Sequence, residues 1–236
     1  MVRRDSAVLA VAAGAVWLGP GLAVHCRPVA GALGVPLRQA QSSGVALTFD
    51  DGPHPEGTPA VLEVLAREAA TATFFLVAEQ VQRYPALVAE IAAAGHEAAV
   101  HGYRHRNQMR LLPRAFAADL ERAIAVIGEV CGRAPRLYRP PYGVFTLAGL
   151  AAVRRASLHP LLWSKWGRDW RAHTTPREIA ALATNGLRAG DVVLLHDADW
   201  YSRPGSHRRT AAALPAILAE LRRLALPAVA VSLQPA

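Results

Sequence analysis

Residues 44–101 read GVALTFDDGPHPEGTPAVLEVLAREAATATFFLVAEQVQRYPALVAEIAAAGHEAAVH, and this stretch decides the fold class. Short apolar runs typical of buried strands lie at residues 45–49, 72–77 and 97–101. The segments between them carry apolar residues at three- and four-residue spacing, which predicts helices over residues 58–69 and 79–94. Strands that alternate with helices in this way must run parallel, because each helix returns the chain to the same end of the sheet.

The same alternation continues to the end of the chain. Further strand-like runs lie at residues 137–139, 161–164, 192–196 and 228–233, and further helices are predicted over residues 113–131, 146–156, 176–189 and 208–224. No internal repeat or low-complexity linker divides the sequence. We therefore predict an α/β fold, a distorted (β/α) barrel of about seven parallel strands, in one domain over residues 41–236.

The first forty residues differ from this pattern. Arg3 and Arg4 precede an apolar run over residues 7–18, which a Gly-Pro-Gly break follows. Residues 1–40 are interpreted as a signal- or anchor-like segment, and the alternative is a helix packed on the domain. The segment predicts an extracellular or membrane-anchored protein, with membrane association through this segment; a cytoplasmic location stays open.

The composition excludes several classes of protein. A chain of 236 residues that is 52% hydrophobic can bury a sizeable core, which excludes disorder as its main state. The net charge of +8 comes almost entirely from arginine, since Lys165 is the only lysine, and without a basic run of five or more we expect no nucleic-acid partner. Cys26 and Cys131 form neither a disulfide framework nor a zinc-ribbon motif. The protein is expected to be a monomer.

Polar side chains gather where the predicted strands end. They are Asp50 and Asp51, His101 and His105, Arg139, Asp169 and His196. Because the carboxyl ends of parallel strands share one edge, and function collects at that edge in α/β folds, we expect these side chains to lie together.

A metal ion explains the paired carboxylates. Two adjacent carboxylates at the end of a hydrophobic strand repel each other and are costly to bury unless a cation shares the site. Asp51, His101 and His105 can supply one oxygen and two nitrogen ligands, an open set typical of catalytic zinc. Alone, the His-x₃-His spacing also fits solvent-facing histidines and Asp-Asp-Gly also fits a turn; together on one edge they indicate a metal site.

The remaining groups suit acid–base chemistry. If Asp51 binds the metal, Asp50 is free to act as a general base. His196 could protonate a leaving group, or it could simply be satisfied by Asp197 or a backbone carbonyl. Arg139 could hold Asp50, or it could be a surface arginine, and Asp169 could orient His196.

These motifs resemble those of a known family. TFDDG at residues 48–52, HGYRH at 101–105, RPPYG at 139–143, Asp169-Trp170 and LLHD at 194–197 are similar to the five ordered motifs of the polysaccharide deacetylases, the NodB homology domain of carbohydrate esterase family four. The resemblance implies a distorted barrel of about seven β/α units. It also implies removal of acetyl groups from sugars with a divalent metal, most often zinc, with cobalt, nickel or manganese as alternatives.

The resemblance also implies a role for each site residue. Asp50 would be the base and Arg139 its partner, Asp51, His101 and His105 the metal ligands, and His196 the acid that Asp169 tunes. The backbone N–H of Tyr142 would donate to the oxyanion, while Trp170 and Leu194 would wall the pocket for the acetyl methyl group. The implied substrate is an N-acetylated polysaccharide or oligosaccharide of a cell-wall or chitin-like kind.

Two positions depart from the family pattern. Gly102 stands where serine or threonine is usual, which removes a hydrogen bond that braces the loop, and Trp166 stands where many relatives carry aspartate. Trp163, Trp166 and Trp170 could form a sugar-stacking wall or could be buried as core. In the polar loop after His196, Trp200 and Tyr201 could add stacking, or the loop could merely be solvated. Two other functions stay open, a non-catalytic carbohydrate-binding relative and a hydrolase of a non-sugar amide or ester.

Overall fold

The computed structural model describes residues 27–40 and 42–231. A sheet of eight strands, all parallel, lies at the centre of this described part. The strands are β1 (Val45–Asp50), β2 (Thr73–Leu76), β3 (Glu97–Val100), β4 (Leu137–Tyr138), β5 (His159–Pro160), β6 (Lys165–Trp166), β7 (Val192–His196) and β8 (Ala228–Val229). Seven of them follow the order β5-β4-β3-β2-β1-β7-β6 and curl into a half-barrel, and β8 pairs with the start of β1. The predicted fold class is confirmed.

Helices connect and cover the strands. They are α1 (Arg27–Ala32), α2 (Gly57–Arg67), α3 (Ala78–Arg83), α4 (Pro85–Ala93), α5 (Pro113–Cys131), α6 (Leu147–Arg155), α7 (Pro176–Thr184) and α8 (Ser206–Arg223). Two single 3₁₀ turns lie at Gln108–Arg110 and Pro141–Gly143. Helix α5 begins at a proline and ends at Gly132, whose φ of 66° suits the left-handed position after a helix.

Strand alternation aims the polar residues inward. In β1, Val45, Leu47 and Phe49 pack in the large core that the helices cover, whereas Ala46 packs in a smaller cluster inside the half-barrel. Side chains two residues apart share a face of a strand, so Thr48 and Asp50 lie on the same face as Ala46.

The same rule holds for the other strands. Ala99, Leu137 and Val192 belong to the inner cluster, and stepping two residues from each reaches His101, Arg139 and Leu194. Two residues beyond Leu194, β7 ends at His196, which is directly opposite Asp50 in the register of β1 and β7. The pleat therefore collects polar side chains at the carboxyl edge of the inner face.

One predicted strand is wrong. Residues 161–164 do not form a strand; they lie between the two short strands β5 and β6. The Leu161 N–H still donates to Tyr138, but the carbonyls of Leu161 and Leu162 accept hydrogen bonds from the Arg139 guanidinium. The buried Arg139 side chain therefore occupies the carbonyl acceptors that a neighbouring strand would use if residues 161–164 formed a strand.

Two predicted helices have different bounds. The helix expected over residues 79–94 is two helices, α3 and α4, that meet at Tyr84, where φ is −131° and ψ is 55°. The residue before a proline disfavours the helical conformation, so Pro85 ends α3 and begins α4. The helix expected over residues 176–189 already ends at Thr184, because Asn185 is extended and Gly186 is left-handed.

Residues 27–40 pack on the domain. Ala30 and Val35 are buried in the main core, Pro36 accepts a hydrogen bond from the Leu162 N–H, and Arg38 pairs with the buried Asp191. Residues 1–26, which include the basic and apolar parts of the predicted signal or anchor, lie outside the described residues. In the part that is described, no helix has the length and apolar character needed to cross a membrane.

Candidate active site

The strand ends meet in one pocket of about 260 Å³. Of the predicted site residues, Arg139 and Asp169 are absent from its lining, but they hydrogen-bond to Asp50 and His196, which line it. The lining residues are Asp50, Asp51, His101, His105, Tyr142, Gly143, Trp163, Trp166, Trp170, Leu194, His196, Tyr201 and Ser202.

Arg139 holds Asp50 in a fully buried position. Its Nη1 donates to Asp50 Oδ1 at 2.6 Å and to Thr48 Oγ1 at 2.8 Å, and its Nε and Nη2 donate to the Leu161 and Leu162 carbonyls. Arg139 is 0% exposed, so the alternative of a surface arginine is wrong. The cation offsets the buried Asp50 carboxylate and fixes its direction.

Asp51, His101 and His105 face one another. Asp51 Oδ1 lies 3.5 Å from His101 Nε2 and 3.3 Å from His105 Nε2. One ligand atom from each of the three residues lies within 4.8 Å of the others, close enough to share one ion. Asp51 itself takes a left-handed φ of 79°, a backbone conformation uncommon outside glycine.

The hydrogen bonds at this cluster fit a divalent cation. His101 Nδ1 lies 2.8 Å from the Arg139 carbonyl, so this nitrogen carries the proton and Nε2 presents a lone pair toward Asp51. Asp51 Oδ1 and His105 Nδ1 are buried without a hydrogen-bond partner. Acceptor atoms that face each other in a buried site are unfavourable unless a cation lies between them, so the residues present fit a metal ion.

The charge balance supports the ligand role of the three residues. Burial alone would raise the pKa of Asp51, but the neighbouring histidines His101, His196 and His105 outweigh it and lower it to about 2. Burial lowers the pKa of His105 to about 4, with the Asp51 charge opposing. Near neutral pH the pair therefore offers a carboxylate and a neutral imidazole, the protonation states that bind a metal.

His196 is held by Asp169, not by Asp197. His196 Nδ1 lies 2.9 Å from Asp169 Oδ1, and its backbone N–H donates to Asp169 Oδ2. Burial lowers the pKa of His196, but the Asp169 carboxylate outweighs it and, with the Asp51 and Asp50 charges, raises the pKa to about 10. His196 is therefore protonated at neutral pH. Asp197 instead accepts a hydrogen bond from Thr58, so that sequence alternative for His196 is wrong.

Aromatic and apolar side chains form the walls. Trp163, Trp166 and Trp170 are half-buried, and consecutive rings are tilted against each other with centroids 5.5–6.0 Å apart. Trp170 meets the His196 ring edge-on at 5.5 Å, and Leu194 also lines the pocket. The three rings line the pocket and are not fully buried as core.

The 3₁₀ turn Pro141–Gly143 brings Tyr142 to the pocket with a left-handed φ of 61°. Its exposed ring packs edge-on against His105 at 4.6 Å.

Gly102, one of the two departures from the family pattern, has a φ of 97°, and a Cβ there would lie 3.0 Å from the Arg104 carbonyl. This backbone favours glycine at the position.

The structure adds residues that sequence reasoning missed. Thr210 of α8 donates to Asp169 Oδ2 at 2.8 Å, and Thr48 bridges Arg139 to the Val193 carbonyl. The Tyr201 ring stacks on His105 at 4.2 Å with an interplanar angle of 10°. The sequence offered only the suggestion that Tyr201 stacks on a sugar; no local pattern marks the threonines.

A second histidine cluster lies behind the pocket. His54, Asp199 and His207 are close enough to share an ion. However, His54 Nδ1 accepts the backbone N–H groups of Glu56 and Gly57, so a neutral His54 carries its proton on Nε2, which points at Asp199 from 3.2 Å. A protonated nitrogen cannot bind a metal, so this cluster fits a hydrogen-bond network between the start of α2 and the loop after β7.

Comparison with known proteins gives consistent relatives. The sequence model of the family described as "Polysaccharide deacetylase" matches residues 38–161. A chitooligosaccharide deacetylase of Azorhizobium caulinodans is 34% identical over 194 residues, covering 79% of this chain and 91% of the relative. A peptidoglycan-N-acetylglucosamine deacetylase of Bacillus cereus is 35% identical over 191 residues, covering 80% and 86%.

Solved structures agree with the fold. The crystal structure of a peptidoglycan N-acetylglucosamine deacetylase with 4-naphthalen-1-yl-N-oxidanyl-benzamide superposes with a TM-score of 0.77 at 27% identity, covering 84% of this chain and 90% of that one. A family 4 carbohydrate esterase from Streptomyces lividans in complex with acetate gives a TM-score of 0.71 at 28% identity, covering 79% and 92%.

Proposed function

Because this chain belongs to the polysaccharide deacetylase family, we propose that it removes N-acetyl groups from N-acetylated amino sugars and releases acetate. The proposed substrate is a cell-wall or chitin-like polysaccharide or oligosaccharide, and the proposed metal is zinc. The observation that carries the proposal is the meeting of three units in one pocket: Asp50 with Arg139, His196 with Asp169, and the cluster of Asp51, His101 and His105.

Asp51, His101 and His105 would hold the metal. A bound zinc ion supplies Lewis acidity toward the acetyl carbonyl and toward water. The Arg139 carbonyl fixes the His101 ring, and the aromatic rings of Tyr142 and Tyr201 pack on His105, so both imidazoles would be held in place for the ion.

Asp50 is the proposed general base. It accepts a proton from the attacking water as the new carbon–oxygen bond forms. Arg139 keeps Asp50 oriented and balances its charge, and the Asp50 carboxylate faces the same pocket as His196 across the β1–β7 pair. The Tyr142 N–H is the proposed donor to the oxygen that gains negative charge.

His196 is the proposed general acid. Its Nδ1–H is held by Asp169, which leaves the Nε2–H to protonate the departing nitrogen as the carbon–nitrogen bond breaks. The products are acetate and the free amino sugar. Trp170 and Leu194 are proposed to enclose the acetyl methyl group, and the tryptophan wall gives the sugar an apolar face to stack on.

The test is acetate release from N-acetylglucosamine oligomers by the full chain, before and after zinc reloading. Asp50→Asn and His101→Ala should each abolish release, and the exposed His159→Ala should not. Zinc bound by the wild type without release from oligomers, peptidoglycan or acetylxylan would contradict the proposal. That result would favour a non-catalytic carbohydrate-binding protein or a hydrolase of a non-sugar amide or ester.

We also propose that the protein works outside the cytoplasm, exported or tethered by residues 1–40. The support is the sequence pattern of Arg3, Arg4 and the apolar run after them. Protease added to intact cells should digest the protein. Digestion only after lysis would contradict export.

A further inference from the structure

A second groove adjoins the catalytic pocket. It has a volume of about 570 Å³ and is lined by His105, Arg106, Asn107, Arg110, Leu111 and Tyr142. We propose that this groove binds a carboxylate carried by the substrate, so that the enzyme prefers N-acetylated glycans with free lactyl carboxylates to neutral chitin-like ones. The inference rests on the proposed deacetylase function and names its substrate class.

The charge of the groove comes from two arginines without a lining acid. Arg106 pairs with Asp119 on α5, which is not part of the lining. Arg110 is exposed and has no ion-pair partner within residues 27–40 and 42–231. Arg110 is therefore an uncompensated cation that faces open space beside the active site, and a guanidinium is well suited to bind a carboxylate.

The groove is preformed. Arg110 is the last residue of the 3₁₀ turn Gln108–Arg110, and the first residue, Gln108, anchors the turn and is 1% exposed. Gln108 donates from Nε2 to the Tyr138 hydroxyl at 2.9 Å and accepts the Thr146 N–H at 3.1 Å. Asn107 accepts the Met109 N–H through Oδ1, which leaves its amide group as a donor. The donors are held in place before a ligand arrives.

The groove lies next to the catalytic pocket, where a neighbouring part of a bound substrate would reach it. His105 and Tyr142 line both the groove and the catalytic pocket, so they form the wall between the two. A group in the groove thus belongs to the sugar next to the one whose acetamide enters the pocket. In a peptidoglycan strand whose peptides have been removed, that neighbour carries a free lactyl carboxylate, whereas every sugar of chitin is neutral. The net charge of +8 favours the same acidic polymer.

The test compares three tetrasaccharides with the zinc-loaded full chain. They are a peptidoglycan fragment with free lactyl carboxylates, the same fragment with those carboxylates converted to methylamides, and an N-acetylglucosamine tetramer. The wild type should show a kcat/KM about fivefold higher for the free carboxylates than for the methylamides, as an exposed ion pair allows. The difference should lie in KM and should shrink at high salt.

Arg110→Gln should remove this preference and leave the rate on the methylamides unchanged. The matched control is Arg136→Gln, an exposed arginine that precedes β4 and so lies at the opposite end of the strands. Equal kcat/KM for carboxylate and methylamide in the wild type would overturn the inference while the deacetylase function stands. An equal loss on both fragments in Arg110→Gln would also overturn it, since that is a structural effect. No release from any of the three would overturn the proposed function and this inference with it.

Discussion

Asp169 contributes to the site through its neighbours. It accepts hydrogen bonds from the His196 ring, the His196 backbone and Thr210, and it is fully buried. Its negative charge stabilises the imidazolium of His196 beside it. The acid form of His196 therefore persists to high pH.

Asp169→Asn should move the alkaline limb of the pH–rate profile to lower pH. Asp169 helps to raise the His196 pKa to about 10, so protonated His196 is kept below that pH and lost as the pH rises through it. With the His196 pKa back near 6.5, acetate release at pH 8 should fall about 30-fold while release at pH 6 falls far less. Kinetics from pH 5 to 10 check this; an unshifted alkaline limb would assign Asp169 a purely structural role.

At the same scale, Tyr201 contacts His105, a proposed metal ligand. His105 Nδ1 is buried without a partner, so the ring is held by stacking on Tyr201 and by the edge of Tyr142. Tyr201→Leu should weaken zinc binding about tenfold, the lower range for losing a group that orients a ligand. Tyr201→Phe keeps the ring and should bind zinc like the wild type. Competition with a chelator measures both, and equal affinities for all three proteins would refute the positioning role.

At the scale of elements, strand registers decide which side chains meet. Asp50 is opposite His196 because β1 and β7 pair directly, and the residues after Val100 and Tyr138 put His101 beside Arg139 because β3 pairs with β4. A shift of one residue in either pair would turn these side chains to the outer face. The parallel sheet thus builds the site from residues far apart in the sequence.

The start of helix α7 is fixed by a capping interaction between residues close in the sequence. Thr175 Oγ1 accepts the Glu178 N–H while the Glu178 carboxylate accepts the Thr175 N–H, a reciprocal cap at the start of the helix. Thr175→Ala should lower the free energy of unfolding by about 1 kcal/mol in urea titrations, and Thr175→Ser should not. Acetate release should stay unchanged, because neither residue lines the pocket. A loss as large in the serine variant would show that the cap is not the cause.

At the scale of the whole molecule, the proposed metal site would couple zinc binding to the stability of the fold. Asp51, His101 and His105 are drawn from two strand ends and a loop, so an ion held by all three stabilises the folded state only. Free zinc at 100 times its Kd should stabilise the fold by about 2.7 kcal/mol.

Thermal unfolding measures this effect. The Tm of chelator-treated protein should rise on adding zinc, and His101→Ala should abolish the rise. The exposed His159→Ala should retain it. A Tm that does not respond to zinc in the wild type would argue against a metal at this cluster.

The sequence by itself determined the parallel α/β architecture and the edge at which chemistry gathers. Both follow from local rules: apolar periods distinguish strands from helices, and parallel strands end at a common edge. The positions of the polar residues at these strand ends were therefore enough to predict that they lie together. These residues are Asp50, Asp51, His101, His105, Arg139 and His196.

Only the tertiary structure decided the contacts that cross the fold without a local signal. Arg139 takes the carbonyls of Leu161 and Leu162 and prevents the strand that their apolar character predicts. Tyr201 reaches His105 across 96 residues of sequence, and Thr210 reaches Asp169 across 41. Such contacts depend on the path of a loop and on the packing of α8, which are set by the sum of all burial in the domain and not by the residues beside them in the sequence.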